Sequence, residues 1–293
     1  MATKAQWIEG ARPRTLPTAI APVVAGSAMA AAMGGLALLR AFLALLVALF
    51  LVIGVNFAND YSDGIRGADG ADRVGPLRLV GSGAADPQHV KAAAMGCFGA
   101  AGVAGLVLVA LCGHWWLLVV GVACVAAAWY YTGGEHPYGY RGWGEVFVFV
   151  FFGLVAVTGT TYTQTDRVDA ATWLTAVLIG ALACAVLVSN NLRDIDGDRE
   201  SGKRTLATRL GHTGTRVLYL VLVAVALAGV VWVGDLTTWW CLLALVMVVP
   251  LVTPVRAMFA RATGMALVPA LRNTGIAELV CAVGLAVGVT VGT

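Results

Sequence analysis

The sequence predicts an all-α polytopic membrane protein: nine transmembrane helices around a central cavity, with the amino terminus in the cytoplasm. Three observations carry this reading. Of the 293 residues, 59% are apolar and only 12% charged, half the roughly 25% of a soluble domain, and the mean hydropathy is +0.84. The apolar residues run in blocks of about 18 to 23 with almost no charge inside them, the length that crosses a hydrocarbon layer. The basic residues fall almost entirely on one side of those blocks. A soluble enzyme, a disordered chain and a secreted disulfide scaffold are excluded. The net charge of +3 is too small to indicate a nucleic-acid partner; the lipid bilayer is the expected surrounding.

The blocks give spans at 16–34, 37–58, 90–111, 114–131, 143–163, 170–192, 213–233, 236–253 and 274–292. The first follows Lys4, Arg12 and Arg14 and contains Ala25-Gly26-Ser27-Ala28-Met29-Ala30. That pattern resembles a cleaved signal peptide, yet the span is kept because the remaining topology needs it. The second and sixth end in polar residues, and Pro250 and Pro254 blur the end of the eighth. With the amino terminus inside, 17 of the 19 Lys and Arg residues lie on the cytoplasmic side, leaving Arg40 and Arg167 opposite. This is the positive-inside asymmetry, and adding or removing one helix would scramble it. Trp115, Trp116, Trp173, Trp232, Trp239 and Trp240 fall at outer helix ends, Trp7 and Trp143 at inner ends, as an interfacial belt requires. The six cysteines all sit in apolar stretches without a C-x-x-C pair and read as small hydrophobes. The whole chain, 1–293, is expected to form one membrane domain.

The acids carry the functional signal. Eleven of sixteen lie in three cytoplasmic loops, a bias the positive-inside rule does not demand of Asp and Glu. They begin while the helices are still ending. Asn56, Asn59, Asp60 and Asp63 recur at three- and four-residue steps and share one face of the second span's inner end. Asn190, Asn191, Asp194 and Asp198 do the same on the sixth. Carboxylates at that depth are costly unless they face a polar cavity or a cation. The pair Asn59-x-x-x-Asp63 recurs as Asn190-x-x-x-Asp194, 131 positions on. This suggests two pseudo-repeated halves, with motifs at 56–73 and 190–205 facing each other. By contrast, no charge is expected in the middle of any span. Carboxylates and amides offer only oxygen ligands, which suits Mg2+, completed by water and substrate phosphate. Acids, Mg2+ and basic groups at the mouth of an apolar cavity imply an amphiphilic substrate with a diphosphate head and a hydrocarbon tail, such as a prenyl diphosphate.

The segment Asn59-Asp60-Tyr61-Ser62-Asp63, followed by Asp69, resembles the first aspartate-rich motif of the UbiA superfamily of intramembrane prenyltransferases. Asn190-Asn191-Leu192-Arg193-Asp194, then Asp198 and Gly202-Lys203-Arg204-Thr205-Leu206-Ala207, resembles the second. Three further stretches are similar to the 1,4-dihydroxy-2-naphthoate prenyltransferase branch: Ala11 to Pro17, Gly67-Ala68-Asp69 through Pro76, and Tyr131 through Arg141. Many superfamily members carry another Asp four residues after the Asp63 equivalent. Here that position is Gly67 and the next acid is Asp69, the longer spacing of the naphthoate branch.

The resemblance implies transfer of a polyprenyl group from polyprenyl diphosphate to 1,4-dihydroxy-2-naphthoate, with loss of CO2, by a Mg2+-dependent enzyme of the inner (plasma) membrane whose active site faces the cytoplasm. It implies that Asn59 and Asp63 hold one Mg2+ and that Asp194 and Asp198 hold the other, helped by Asn190 or Asn191. Asp60 and Asp69 are secondary metal-site candidates, and Asp69 is also a candidate base for a ring hydroxyl. Asp63, Asp194, Asp198 and Asp69 are the implied catalytic acids. Arg66, Arg141, Lys203 and Arg12 would grip the diphosphate, while Tyr138, Tyr140 and Glu145 would line the acceptor side. A sister enzyme prenylating 4-hydroxybenzoate is the nearest rival. A transporter with a cation-binding vestibule is the rival from another class, disfavoured because transporters place substrate near the midplane on broken helices.

Overall fold

The computed structural model describes residues 2–67 and 77–292, and every described element is helical. In chain order the helices are α1 (Lys4–Gly10), α2 (Pro17–Ala32), α3 (Leu38–Ile65), α4 (Pro87–Cys112), α5 (Leu117–Tyr130), α6 (Gly144–Thr165), α7 (Ala170–Arg193), α8 (Ile195–Glu200), α9 (Leu206–Leu236), α10 (Trp239–Phe259) and α11 (Gly264–Gly292). Among the described residues, seven of these (α3, α4, α6, α7, α9, α10 and α11) are long and apolar enough to cross a membrane. The first predicted span is α2, which reaches that length only together with the segment Lys4–Thr15, bent from it by 47°. The fourth is α5, apolar but 14 residues long. The chain is a multi-pass membrane protein.

Local chemistry sets the ends. Pro17 opens α2 and Pro87 opens α4, where a missing N–H costs nothing. Asp86 caps α4 through the Gln88 amide at 2.8 Å, and Asp169 caps α7 through the amide of Thr172 at 2.8 Å. Gly113, at φ 78°, ends α4 in the left-handed conformation that glycine adopts without strain. In α9, Gly211 (φ 67°, ψ 178°) breaks the helix, so the rod resumes where the seventh span was predicted to begin. The two arginines expected on the outer side also have work. Arg40 donates to the carbonyls of Leu111 (2.8 Å) and Thr163 (3.0 Å), and Arg167 to that of Met33 (3.5 Å). These carbonyls lie at or near the ends of α4, α6 and α2, where a cation is favoured.

Helix α7 is the axis of the fold. Of its apolar window 72% is buried inside the protein, against 22% for α3. Around it pack α2, α6, α9 and α11, with Ala21, Ala25, Ala176, Ala181, Ala185, Ala270, Ala277 and Ala282 almost wholly buried. Small side chains let helices approach closely where lipid tails offer no competing hydrophobic drive. One close approach joins Gly153, in a π-helical segment of α6 (Phe149–Val155), to Gly180 of α7. Outward faces remain apolar, and the seven tryptophans Trp115, Trp116, Trp143, Trp173, Trp232, Trp239 and Trp240 are each half or more exposed.

One expectation is overturned. The ninth span was placed at 274–292, but the α-helix begins at Val268, which puts Glu278 near its middle. That carboxyl is wholly buried. Pro269 and the charged Arg272 concealed the helix start in the sequence.

Gly153→Ala should lower stability by about 1–3 kcal/mol, the usual cost of overpacking, because its Cβ would lie 2.6 Å from the Gly180 Cα. Gly159→Ala, with nothing within 4 Å, is the control. Thermal unfolding in detergent should show a lower midpoint for the first variant only.

Candidate active site

The last turns of α3 carry, besides the buried Ser62, four buried polar residues with separate partners. Asn56 donates to the Ala11 carbonyl (3.0 Å) and to the Thr15 hydroxyl (3.1 Å), fastening the amino-terminal segment to the site. Asn59 accepts from the Thr132 hydroxyl at 2.7 Å. Asp60 accepts from the backbone amides of Leu79 (2.7 Å) and Val80 (2.9 Å), one with each oxygen. Asp63, 3% exposed, faces Arg78 at 3.1 Å and Lys203 at 3.7 Å and accepts from the Tyr140 hydroxyl. An ionised group so buried is tolerable only when paired and hydrogen-bonded.

The second motif spans the end of α7 and the short α8. Arg193 donates from Nε and Nη2 to the two oxygens of Asp194, both at 2.6 Å, and from Nη2 to Asn190 at 2.9 Å. Asn191 turns to another side and donates to Glu145 at 2.9 Å. Asp198 sits on α8, its carbonyl accepting from the Lys203 amide at 2.8 Å. Gly202, at φ 75°, permits that reversal.

Lys203 joins the two motifs. Its amide is tied to Asp198 while its ammonium reaches Asp63 and lies 4.6 Å from the centre of the Tyr140 ring, a cation–π distance. The next amide, of Arg204, donates to the Tyr140 carbonyl at 2.9 Å. The Tyr131 hydroxyl is pushed well above the usual phenol range, first by burial and then by Glu145, Tyr138, Asp63 and Asp198. Tyr140 is likewise raised, by burial and then by Asp63, so its hydroxyl remains a donor through the neutral range.

The other sequence candidates are dispersed. Arg66 donates to the carbonyls of Thr132 and Gly134 and lies 5.6 Å over the Tyr140 ring. Arg12 is half-buried in the segment that Asn56 holds. Arg141 is exposed, its carbonyl accepting from Arg209 at 2.6 Å. Tyr138 donates to the Ala127 carbonyl at 2.8 Å and stacks on Phe147 at 3.9 Å, a packing position. Glu145 is buried beside an apolar recess of about 250 Å3 lined by Phe149, Cys184 and Leu218 among others. Asp69 lies outside the described residues.

Sequence reading missed Arg78, Arg193, Thr132 and Tyr131. In the sequence Arg78 is one of the inside charges and Arg193 belongs to the second motif. For Arg193 the signal is an arginine next to an acid at a helix end, where burial forces pairing; Arg78 stands fifteen residues after Asp63, with no local signal.

Among the described residues, no three His, Cys, Asp or Glu side chains form a ready metal cage. The donors are oxygens only, with one or two carboxylates on each motif. That is the set Mg2+ uses when water and phosphate complete its shell, and it is unsuited to zinc.

Comparison with known proteins accords with this geometry. Residues 19–267 match the model of the UbiA prenyltransferase family. The chain belongs to that family. It is 56% identical over 291 residues to the 1,4-dihydroxy-2-naphthoate octaprenyltransferase of Mycobacterium tuberculosis, covering 98% of this chain and 97% of the relative. It is 53% identical to the protein of that name from Mycobacterium leprae, covering 99% and 98%. In fold it matches a UbiA homologue from Archaeoglobus fulgidus solved with DMAPP and Mg2+, with a TM-score of 0.66 at 13% identity over 98% of this chain and 99% of that one.

Asp60→Asn should cost about 1–3 kcal/mol, since one carboxylate oxygen now serving an amide becomes a donor group. The unfolding midpoint should fall while the Mg2+ concentration for half-maximal activity stays unchanged. A large shift in that concentration would make Asp60 a metal ligand.

Proposed function

We propose that this protein transfers a polyprenyl group from a prenyl diphosphate to 1,4-dihydroxy-2-naphthoate, releasing CO2 and diphosphate and giving demethylmenaquinol. The observation that carries the reading is identity above one half, over nearly the whole length, with relatives of that name. The contact of Lys203 with both acidic motifs supports it.

In this reading Asn59 and Asp63 would hold one Mg2+, and Asp194 and Asp198, with Asn190, would hold the other. When bound, these ions would supply positive charge to the diphosphate oxygens. Lys203, Arg78 and Arg66 add donors to the same oxygens, and Tyr140 keeps the Asp63 carboxylate in place. The helix walls exclude water from the allylic cation. The acceptor ring attacks through its carboxyl-bearing carbon, and the departing CO2 leaves its electron pair to restore aromaticity. No residue need remove a proton from that carbon. Asp60, bound by two amides, serves instead to pin the 77–80 segment beside Asp63.

The chain is one domain of two pseudo-repeated halves around a central cavity. It has nine spans if the bent pair and α5 cross with the seven longer helices. The basic residues then put both motifs at the cytoplasmic face of the inner (plasma) membrane.

Purified protein in detergent, given Mg2+, a prenyl diphosphate and naphthoate labelled at its carboxyl carbon, should release labelled CO2 in step with prenylated product. Chelation should abolish both. Turnover of 4-hydroxybenzoate instead would overturn the acceptor assignment. Asp63→Ala and Asp194→Ala should each lose at least about a hundredfold in rate while remaining folded. Near-normal rates would overturn the metal assignment.

A further inference from the structure

Both oxygens of Asp194 are already engaged by a cation the chain supplies itself. The Arg193 side chain is 3% exposed and Asp194 17%, so solvent screens their attraction little. The guanidinium makes a two-pronged contact, Nε and Nη2 each at 2.6 Å, and Nη2 also reaches Asn190 at 2.9 Å. Arg193 thus covers two of the oxygen-bearing groups expected to hold the second metal ion. The pairing is intrinsic to the sequence: Arg193 neighbours Asp194, stands three residues after Asn190 on the same helix and closes α7, where the helix end itself favours a cation.

A divalent ion at Asp194 needs at least one of those oxygens, and it would stand beside a buried guanidinium of like sign. The two cations compete unless a further anion enters, and the diphosphate of the substrate is such an anion. We propose that Arg193 is the resident counter-ion of the second acidic motif, excluding metal from Asp194 until a diphosphate arrives to draw the guanidinium away. Arg193 is then a positioning residue that makes metal binding depend on the diphosphate. By linkage, diphosphate and metal each raise the other's affinity, and part of that coupling runs through this one side chain. The inference rests on the metal assignment made above.

Mn2+ binding, followed by electron paramagnetic resonance on the full-length protein in detergent, tests it without turnover. The probes are Mn2+ alone and Mn2+ with a prenyl thiodiphosphate, whose sulfur at the scissile position slows ionisation. Wild type should bind Mn2+ weakly alone and tightly with the analogue. Arg193→Gln should bind Mn2+ alone about tenfold or more tightly than wild type, the scale of a charge-assisted pair, and should gain less from the analogue. Arg193→Lys, which keeps the charge but loses the fork, should fall between them, and it decides the matter if the Gln variant does not fold. Unchanged or weaker binding of Mn2+ alone in both variants overturns the inference, while naphthoate prenylation by wild type would leave the function standing. Failure of wild type to bind Mn2+ under either condition overturns the metal assignment and this inference together.

Discussion

The pairing of Asp63 with Arg78, Lys203 and Tyr140 is the contact on which the site's architecture turns. A carboxylate 3% exposed near the end of an apolar helix cannot remain ionised unless opposite charge and hydrogen-bond donors surround it. The partners come from three places far apart in the chain: the segment after residue 76, the turn before α6, and the turn between α8 and α9. Satisfying one acid therefore draws three connections onto the carboxyl-terminal end of α3. The helices provide walls, and the buried charge gathers their loops.

The same logic explains how the labour is divided along each helix. Within the bilayer every backbone group must be satisfied internally, so the middle of α7 is given to close contacts between alanines and glycines and carries little chemistry. Only at the terminal turns do free carbonyls, caps and loops make polar side chains affordable. At the end of the bundle away from the acidic motifs, Arg40 and Arg167 serve the carbonyls of helix ends. At the other end Arg78, Arg193 and Lys203 meet acids instead. Glu278 departs from this division, an acid wholly buried near the middle of α11.

Much of this was legible in the sequence because hydropathy and the three- and four-residue spacing of side chains are local properties. Spans 37–58 and 170–192 correspond to α3 and α7, but the second set of Asn and Asp residues does not share one face: Asn191 turns to Glu145 and Asp198 lies on α8. The end of α3 was read too short because Asn59, Asp60 and Asp63 look like a loop, although they are the helix's last turns. The ligand chemistry of each motif was also legible, but the role of each acid was not. Asp60 and Asp63 are the same residue type three positions apart, yet one holds two backbone amides and the other gathers cations. That difference depends on Leu79, Val80 and Arg78, whose approach no local pattern encodes. The resemblance likewise pairs Tyr140 with Tyr138, but only Tyr140 reaches an acid; Tyr138 packs against Phe147.

A site neutralised by its own arginines has a consequence for how this chemistry can exist in a membrane. Two acidic motifs left bare at the end of a low-dielectric bundle would repel each other and would resist ionisation. With Arg78 on Asp63 and Arg193 on Asp194, an acid of each motif is paired before any substrate is present. The charge that the reaction requires need not be built by deprotonating acids in an apolar cavity. It is already there, held in ion pairs, and becomes available by exchange of partners when an anion as strong as a diphosphate enters. Exchanging one ion pair for another is far less costly in such a medium than creating a charge. This is why a substrate that brings its own negative charge suits a site of this kind.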